Sequence, residues 1–525
     1  MVMVKFSLRD DYWDTFQLEE DDVEHLYNHL LEVETPLTPQ EMLEVLVAGR
    51  IRRELARMEA QRQAGGEIYK PEEKYEVGQK LLFPLFGWQS GTVVNVRPGR
   101  NPDVANFSVI EVEFETGERR EFAAEYPDHL LNNPPEVVTD DALTPERVLE
   151  NYGEQLLDAL HDGLKAHPDF VRIAGRWFAR ALLVDINIGH LNLAEAVLDV
   201  MGGGPLSTRE IIEQIELTAD APSKLLEFSL DLALQEDERF DEVGPAGEVA
   251  WYLRRLEPEE VLTPPVYLQY APVEHDRSTL DPEMLALEQI LDDELSPLEA
   301  TDEFPGTVQI PLIFPHWQAG TLPLGARVAA IFPTAYEAPR VRFMLVDSKT
   351  GKKFPGWVVR EHGYVYGLKE WYETHGLIPG SIVGIRRGEN PGEVIVESNL
   401  QRARKDWVRT ALIGSDGGIV FATLPQRVSA EYDERMAIVV ADVEALTELW
   451  QEKRYLRMPF ERLVTNMTRE LSKLTHQEHV HGTELYAAVN LVRRCPPAPL
   501  LALLASSPWF VHVGDLYFRF DDSAR

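Results

Sequence analysis

The side chains with the greatest chemical potential in this 525-residue chain are cations interleaved with aromatic rings. Arg340, Arg342, Lys349, Lys352, Lys353, Arg360, Arg386 and Arg387 fall in one stretch that also carries Trp357, Tyr364, Tyr366 and Trp371. The run "QRARKDWVR" adds Arg402, Arg404, Lys405 and Arg409 directly afterwards. Guanidinium and ammonium groups neutralise phosphates, and flat rings between them offer stacking surfaces, so this mixture points to nucleic-acid contact. The alternative is a strand pattern in which the cations take the solvent face and the aromatics fill the core. The surroundings sharpen the contrast. Residues 1–324 hold 64 acidic and 25 basic side chains, residues 325–410 hold 9 and 14, and the whole chain has a net charge of -37. One basic stretch sits inside an acidic chain.

Other constellations carry less. His476, His479 and His481 are close together, but no paired cysteines or HExxH spacing accompany them, so no metal is expected. The lone Cys495 rules out an internal disulfide framework, and no nearby His or Asp activates it. "GSDGG" is a turn rather than a GxSxG nucleophile elbow, and "MGGGP" and "GRNPD" lack the Lys-Ser/Thr of a phosphate loop. The acid pair of "IEVEFETG" lacks the following lysine of a nuclease core. No catalytic residue and no cofactor are expected, and the chain reads as a non-enzyme.

A chain of this length exceeds one core and predicts about three to five domains. Hydrophobic residues make up 44% and charged residues 26%, without an apolar run long enough to span a bilayer. The N-terminus turns acidic within ten residues and lacks the apolar core of a signal peptide, so a cytoplasmic location is expected.

Local signals divide the chain. Residues 1–65 read as a helical unit, in which Thr38, Pro39 and Glu41 form a helix start with a capping box. Short strands separated by Gly-containing turns over 74–132 predict a small β-barrel. Residues 142–200 return to helical spacing. In 201–257, Ser207 and Glu210 form another capping box, a helix runs from about Ser223 to Gln235, and "RFDEV" and "EVAWYLRRL" make a hairpin. Residues 258–325, rich in Pro and acid, read as a linker with one short helix. Residues 326–400 predict a β-barrel with a helix at "YGLKEWYETHG", 401–450 a strand hairpin and helix, and 451–525 a second set of helices closed by "WFVHVG" and "DLYFRF". Helices followed by a short hairpin describe a winged helix, written twice.

Three stretches resemble known modules. Leu206 to Glu257 is similar to the HARE-type winged helix, which also occurs in the acidic delta subunit of bacterial RNA polymerase. "YEVGQKLLFPLFGWQSGTVVNVRPG" with "IEVEFETGERREF" resembles Tudor/KOW barrels, whose members bind nucleic acid, polymerase or peptides. "GLKEWYETHGL" followed by "PGSIVGIRRG" resembles the DNA-binding pseudobarrel of the plant B-three family, although Ser381 stands where that family has Asp. That resemblance implies DNA gripped in the major groove by barrel-edge loops and strands.

The expected fold class is therefore multi-domain α+β, with a small β-barrel, two winged-helix modules and a central β-pseudobarrel joined by helical segments. The expected function is non-enzymatic and nucleic-acid-associated, with DNA at the basic barrel and a protein partner, RNA polymerase among the candidates, at the winged helices and small barrel. The rival is an acidic protein-interaction scaffold, docking on RNA polymerase or mimicking nucleic acid toward a basic partner; a DNA-processing enzyme with an unrecognised site is the third class. No membrane partner is expected. In the two candidate recognition helices, Ser223 to Gln235 offers Lys224, Glu227, Asp231 and Gln235, and "APLLALLASS" offers almost nothing that reads a base, which favours protein docking.

Overall fold

The computed structural model describes residues 4–6, 12–64, 66–83, 86, 89–100, 107–114, 117–127, 129–132, 137–139, 144–217, 221–299 and 306–521. The turn residues 115–116, most of "GRNPD" and the stretch 300–305 fall outside them. The architecture is α+β in several domains, with small sheets, one partial barrel and helical segments. The chain divides into two compact units, Met1–Asp185 with Ala221–Ser229 and Ile186–Asp220 with Leu230–Arg525.

In the first unit, β1 (Val4–Phe6) precedes α1 (Glu20–Val33) and α2 (Pro39–Ala64). Thr38 starts α2 as expected: its backbone N–H donates to the Glu41 carboxylate at 2.7 Å, and its hydroxyl accepts from the Glu41 N–H at 3.2 Å. Asp22, fully buried in α1, accepts from Nε of Arg50 at 2.7 Å and also binds Arg53, which ties α1 to α2. A five-stranded sheet follows, β2 (Glu67–Ile68), β3 (Lys80–Phe83), β4 (Gln89–Pro98), β5 (Ser108–Phe114) and β6 (Arg119–Ala124), in that spatial order. Alternate residues of its strands, including Leu81, Phe83, Val93, Ile110, Val112 and Phe114, close a core of their own. After β7 (Val137–Thr139), which pairs with β1, come α3 (Pro145–Lys165) and the hairpin β8 (Phe170–Ile173) and β9 (Arg176–Ala179).

The second unit opens with α4 (Ile188–Val200), β10 (Leu206–Ser207), α5 (Thr208–Gln214), α6 (Ser223–Gln235), β11 (Phe240–Glu242) and β12 (Ala250–Leu253). The unit boundary falls within α6. Of residues 258–325, read from composition as a linker with one short helix, the part 258–299 forms a packed strap. It contains α7 (Glu259–Leu262) and α8 (Pro282–Leu291), and buries Val261, Leu268, Leu280, Met284, Leu287 and Leu291. Proline and acid masked an apolar periodicity that packs on two neighbouring cores.

The partial barrel begins earlier than residue 326. Its end strands are β13 (Val308–Pro311) and β14 (Thr321–Pro323), separated by α9 (Phe314–Ala319). Between them lie β15 (Arg340–Asp347), β16 (Lys353–Val359), β17 (Tyr364–Tyr366), the short helix α10 (Lys369–His375), β18 (Ile382–Arg387) and β19 (Glu393–Glu397). The spatial order is β13-β18-β19-β15-β16-β17-β14, and one core takes residues from every strand except β16's outer row, with Leu368, Trp371 and Tyr372. A long ribbon follows, β20 (Leu400–Ile413) against β21 (Ile419–Ala430), with β22 (Val439–Val440) along one end. Then come α11 (Val443–Gln451), α12 (Phe460–Ser472), β23 (Val480–His481), α13 (Gly482–Asn490), α14 (Pro497–Ser506), β24 (Phe510–Gly514) and β25 (Tyr517–Phe520).

The repeated phrase corresponds to a repeated topology of helix, short strand, two helices and hairpin. The three-stranded sheets of the two repeats place the short strand beside the last one, in the orders β10-β12-β11 and β23-β25-β24. The first unit holds the same arrangement a third time. Leu37 bridges Trp177 of β9 as Leu206 pairs with Trp251 of β12, and the five-stranded sheet is inserted between the helices α2 and α3. In each case the residue after the bridging position caps the next helix in a capping box: Thr38 with Glu41, Ser207 with Glu210, His481 with Glu484.

The third cap is chemically different. The Nδ1 of His481 accepts from the Thr483 N–H at 3.1 Å, which requires a lone pair on that nitrogen. Burial, with the Arg435 guanidinium adding to it, pushes this imidazole down to about 4 from 6.5. A folded value below the unfolded one means that the cap's contribution is complete above 6.5 and is lost as pH falls toward 4. His481→Asn keeps the acceptor without the titration, so its urea midpoint should fall less than that of the wild type between those pH values. A second test concerns Arg494, fully buried, whose Nη2 lies 2.7 Å from both Asp293 and Glu294. Arg494→Met leaves the buried Asp293 and Glu294 without their guanidinium and should lower stability by about 3–5 kcal/mol, read by urea denaturation.

Candidate nucleic-acid interface

Strand alternation decides the fate of the expected cationic residues. In β15 the odd positions Val341, Phe343 and Leu345 face the barrel core, which turns Arg340 and Arg342 to the other side. That side is covered within the second unit by the β11–β12 hairpin and the strap. Arg340 pairs with Asp241 and, through Nε at 3.1 Å, with Glu257. Burial, with Asp241 beside it, pushes the Glu257 carboxyl up to about 8 against the pull of Arg340. The Arg342 guanidinium lies 5.4 Å from the Tyr252 ring and 5.9 Å from the Trp357 ring, and burial lowers its pKa.

The expected stacking rings follow the same logic. Trp357 and Tyr364 are buried with Val243, Tyr252, Val261 and Leu268, and Trp371 is buried in the barrel core. Tyr364 donates to the Glu260 carbonyl at 2.6 Å, and Tyr366 is half-buried. A base cannot stack on a ring whose faces are already packed, so Trp357, Tyr364 and Trp371 are core residues. Of the remaining barrel cations, Lys353 pairs with Glu393, Arg360 donates to the Ala338 carbonyl at 2.8 Å, and Arg387 donates to the Ala330 carbonyl. Lys349 and Lys352 are exposed in the turn between β15 and β16, and Arg386 is half-buried on β18.

The structure brings a different group together on the β20–β21 ribbon. Lys405 pairs directly across from Arg427, Trp407 from Pro425 and Arg409 from Thr423, so these six share one face. The far end of that face, Ala411 and Phe421, is buried in the largest core and anchors the ribbon. The near end is open: Trp407 is 69% exposed, and Lys405 and Arg427 are exposed beside it. Arg402 is also exposed, next to an irregularity between Leu400 and Arg404. Arg404 is held by Asp406 at 3.0 Å and Arg409 by Glu484 at 3.3 Å, which leaves Arg402, Lys405 and Arg427 as the available cations of the ribbon. Two like charges directly opposite on adjacent strands oppose the fold, and an exposed indole beside them gains nothing from it. Both features suit an anionic ligand with flat groups.

Trp407 and Arg427 were not among the expected site residues. The signal for Trp407 was present in the period of two of Lys405, Trp407 and Arg409, which places all three on one face of a strand. Arg427 becomes part of the site only through strand register.

Among the described residues, no group of three or more ligating side chains could hold a metal ion, and no helix is long and apolar enough to cross a membrane. His481 is committed to its cap, and Cys495 is buried with its thiol pushed up to about 12 by that burial. Comparison with protein-family models, curated proteins and solved structures gives no match to this chain.

Because Lys405 and Arg427 repel across the ribbon, Lys405→Glu should stabilise the fold by about a few tenths of a kcal/mol and raise the thermal midpoint slightly, with the gain shrinking in high salt. Differential scanning calorimetry at two salt concentrations checks this.

Proposed function

We propose that this chain is a non-enzymatic, nucleic-acid-associated protein that contacts its ligand through the open end of the β20–β21 ribbon. Trp407 supplies a stacking face, and Lys405, Arg427 and Arg402 supply phosphate contacts. The observation that carries the reading is the exposed indole of Trp407 next to the unneutralised pair Lys405 and Arg427. A single strand suits it better than a duplex, because stacking needs an unpaired base.

The three repeats are read as winged helices used for packing against protein rather than for reading bases. The last helix before each hairpin has no suitable face. Most of α14 is buried, α6 buries Leu225, Leu226, Phe228, Ser229, Leu230, Asp231 and Leu234, and α3 exposes Glu146, Glu150, Glu154, Asp158 and Asp162. That acidic row favours a second reading, a scaffold that offers carboxylates to a basic partner.

Fluorescence anisotropy with labelled single-stranded and duplex oligonucleotides across a salt series separates the two. The first reading expects tighter binding to the single strand, a loss of about tenfold or more for Trp407→Ala, and a shallower salt slope for the double variant Lys405→Gln with Arg427→Gln. No binding by the full chain at low salt, or binding unchanged in both variants, would give the scaffold the better claim.

A further inference from the structure

Helix α4 is apolar on two sides, whereas the fold uses one. Leu191, Ala194 and Leu198 face the core of the second repeat. Gly189, Leu193, Ala196 and Val200 form another row on the solvent side, flanked by Ile188 at the helix start and Met201 just past its end. Leu193 is 50% exposed, Met201 59%, Ile188 65% and Val200 86%. A helix that is apolar all round is ordinarily a covered one.

The topologically equivalent helices show that the repeat does not require this row. The exposed positions of α1 are Glu20, Asp21, Glu24, Asn28 and Glu32, with Val33 only at the last turn, and those of α12 are Glu461, Arg462 and Asn466. The α4 row together with the flanking Ile188 and Met201 leaves on the order of 500 Å² of surface open, the upper end of what a monomer shows in one patch. Two such patches together would remove about 1,000 Å² from solvent, the lower bound for a specific interface.

Spacing and size select the occupant. The steps of the row are four, three and four residues, the period of a coiled-coil seam, so a helix fits it. The order is small, large, small, large. Run antiparallel against itself, the row sets Gly189 opposite Val200 and Leu193 opposite Ala196, so every level joins one large and one small side chain. A parallel pair would set Gly189 against Gly189 and Val200 against Val200, leaving gaps at one level and crowding at another. The charges beside the row are already matched within the chain, Glu195 with Arg239 at 2.6 Å and Asp199 with Arg255, so like charges do not bar close approach there.

We propose that α4 is a self-association helix, through which two copies of this chain pair antiparallel about a two-fold axis between Leu193 and Ala196. The net charge of -37 opposes association and is screened by salt, so the dimer tightens as ionic strength rises. Phosphate binding has the opposite salt dependence, which keeps this proposal separate from the ribbon.

Sedimentation velocity of the full chain over a concentration series, at low and high salt, should show a reversible monomer–dimer equilibrium favouring the dimer at high salt. Val200→Arg changes a side chain that is almost wholly exposed, and should weaken the dimer at least tenfold while the thermal melt stays as in the wild type. As an independent measurement, Leu193→Cys protein mixed with Ala196→Cys protein should cross-link on oxidation, and neither variant alone should do so. A chain that stays monomeric at every salt concentration, a dimer indifferent to Val200→Arg, or cross-linking by Leu193→Cys alone would each overturn the proposal.

Discussion

A single buried guanidinium organises the second unit. Arg494 reaches Asp293 and Glu294 of the strap, and its Nη1 donates to Asn490 at 3.0 Å. The Tyr486 hydroxyl donates to Asp293, while His316 lies 3.2 Å from Glu294 and 2.9 Å from the Thr321 hydroxyl. Burial alone would raise both carboxyls. Arg494, with His316 adding, holds Glu294 down at about 2, whereas Asp293 remains above the ordinary carboxylate range. Ions withdrawn from water tolerate only arrangements in which each finds its partners, so strap, partial barrel and third repeat have one mutual placement that satisfies this network. The large apolar core around α8, α9 and α11 to α14 then fills in about it.

Against that frame, the three repeats show how one topology takes different roles according to which face is apolar. All three share a bridging apolar residue followed by a capping box, because the short strand must end and a helix must begin within one residue. They differ in what the later helices present. Helix α14 is buried nearly all round, α3 turns carboxylates outward, and α6 is shared between the two units. The β11–β12 hairpin also covers the outer side of the partial barrel, where Tyr252 meets Trp357 edge to face at 5.2 Å between ring centres. Of the positive stretch in the sequence, Arg340 is thereby paired with Asp241 and Arg342 is enclosed between rings within the chain.

Features set by local chemistry were legible in the sequence. The starts of α2 and α5, the limits of α6 and both hairpins followed from caps, turns and alternation. Features set by distant partners were not. The strap looked like a linker because Pro and acid dominate its composition, although Met284, Leu287 and Leu291 recur at helical spacing. The first repeat was hidden because its strand Leu37 finds Trp177 across an inserted sheet. The basic stretch was visible, but alternation could not say which side of β15 is covered, and so could not tell the held Arg340 from the open Lys405. Trp407 was readable from its period, whereas Arg427 required the register of β20 and β21.

The inserted five-stranded sheet also bears on how the chain emerges from the ribosome. Pro36 and Arg176, at the bridge that closes the first repeat, are 140 residues apart. At ordinary translation speeds, roughly 5–20 residues per second, the bridging strand at Leu37 waits roughly 7–28 s before its partner strand exists. During that interval the apolar residues of α1 and α2, Leu26, Leu30, Leu43 and Leu46 among them, lack the hairpin, whereas the inserted sheet, with a core of its own, can fold as soon as it is complete. The insertion thus has what it needs to close before its host, as a finished bead on an unfinished loop. The buried pairing of Asp22 with Arg50 and Arg53 gives the waiting helices a clasp in the meantime.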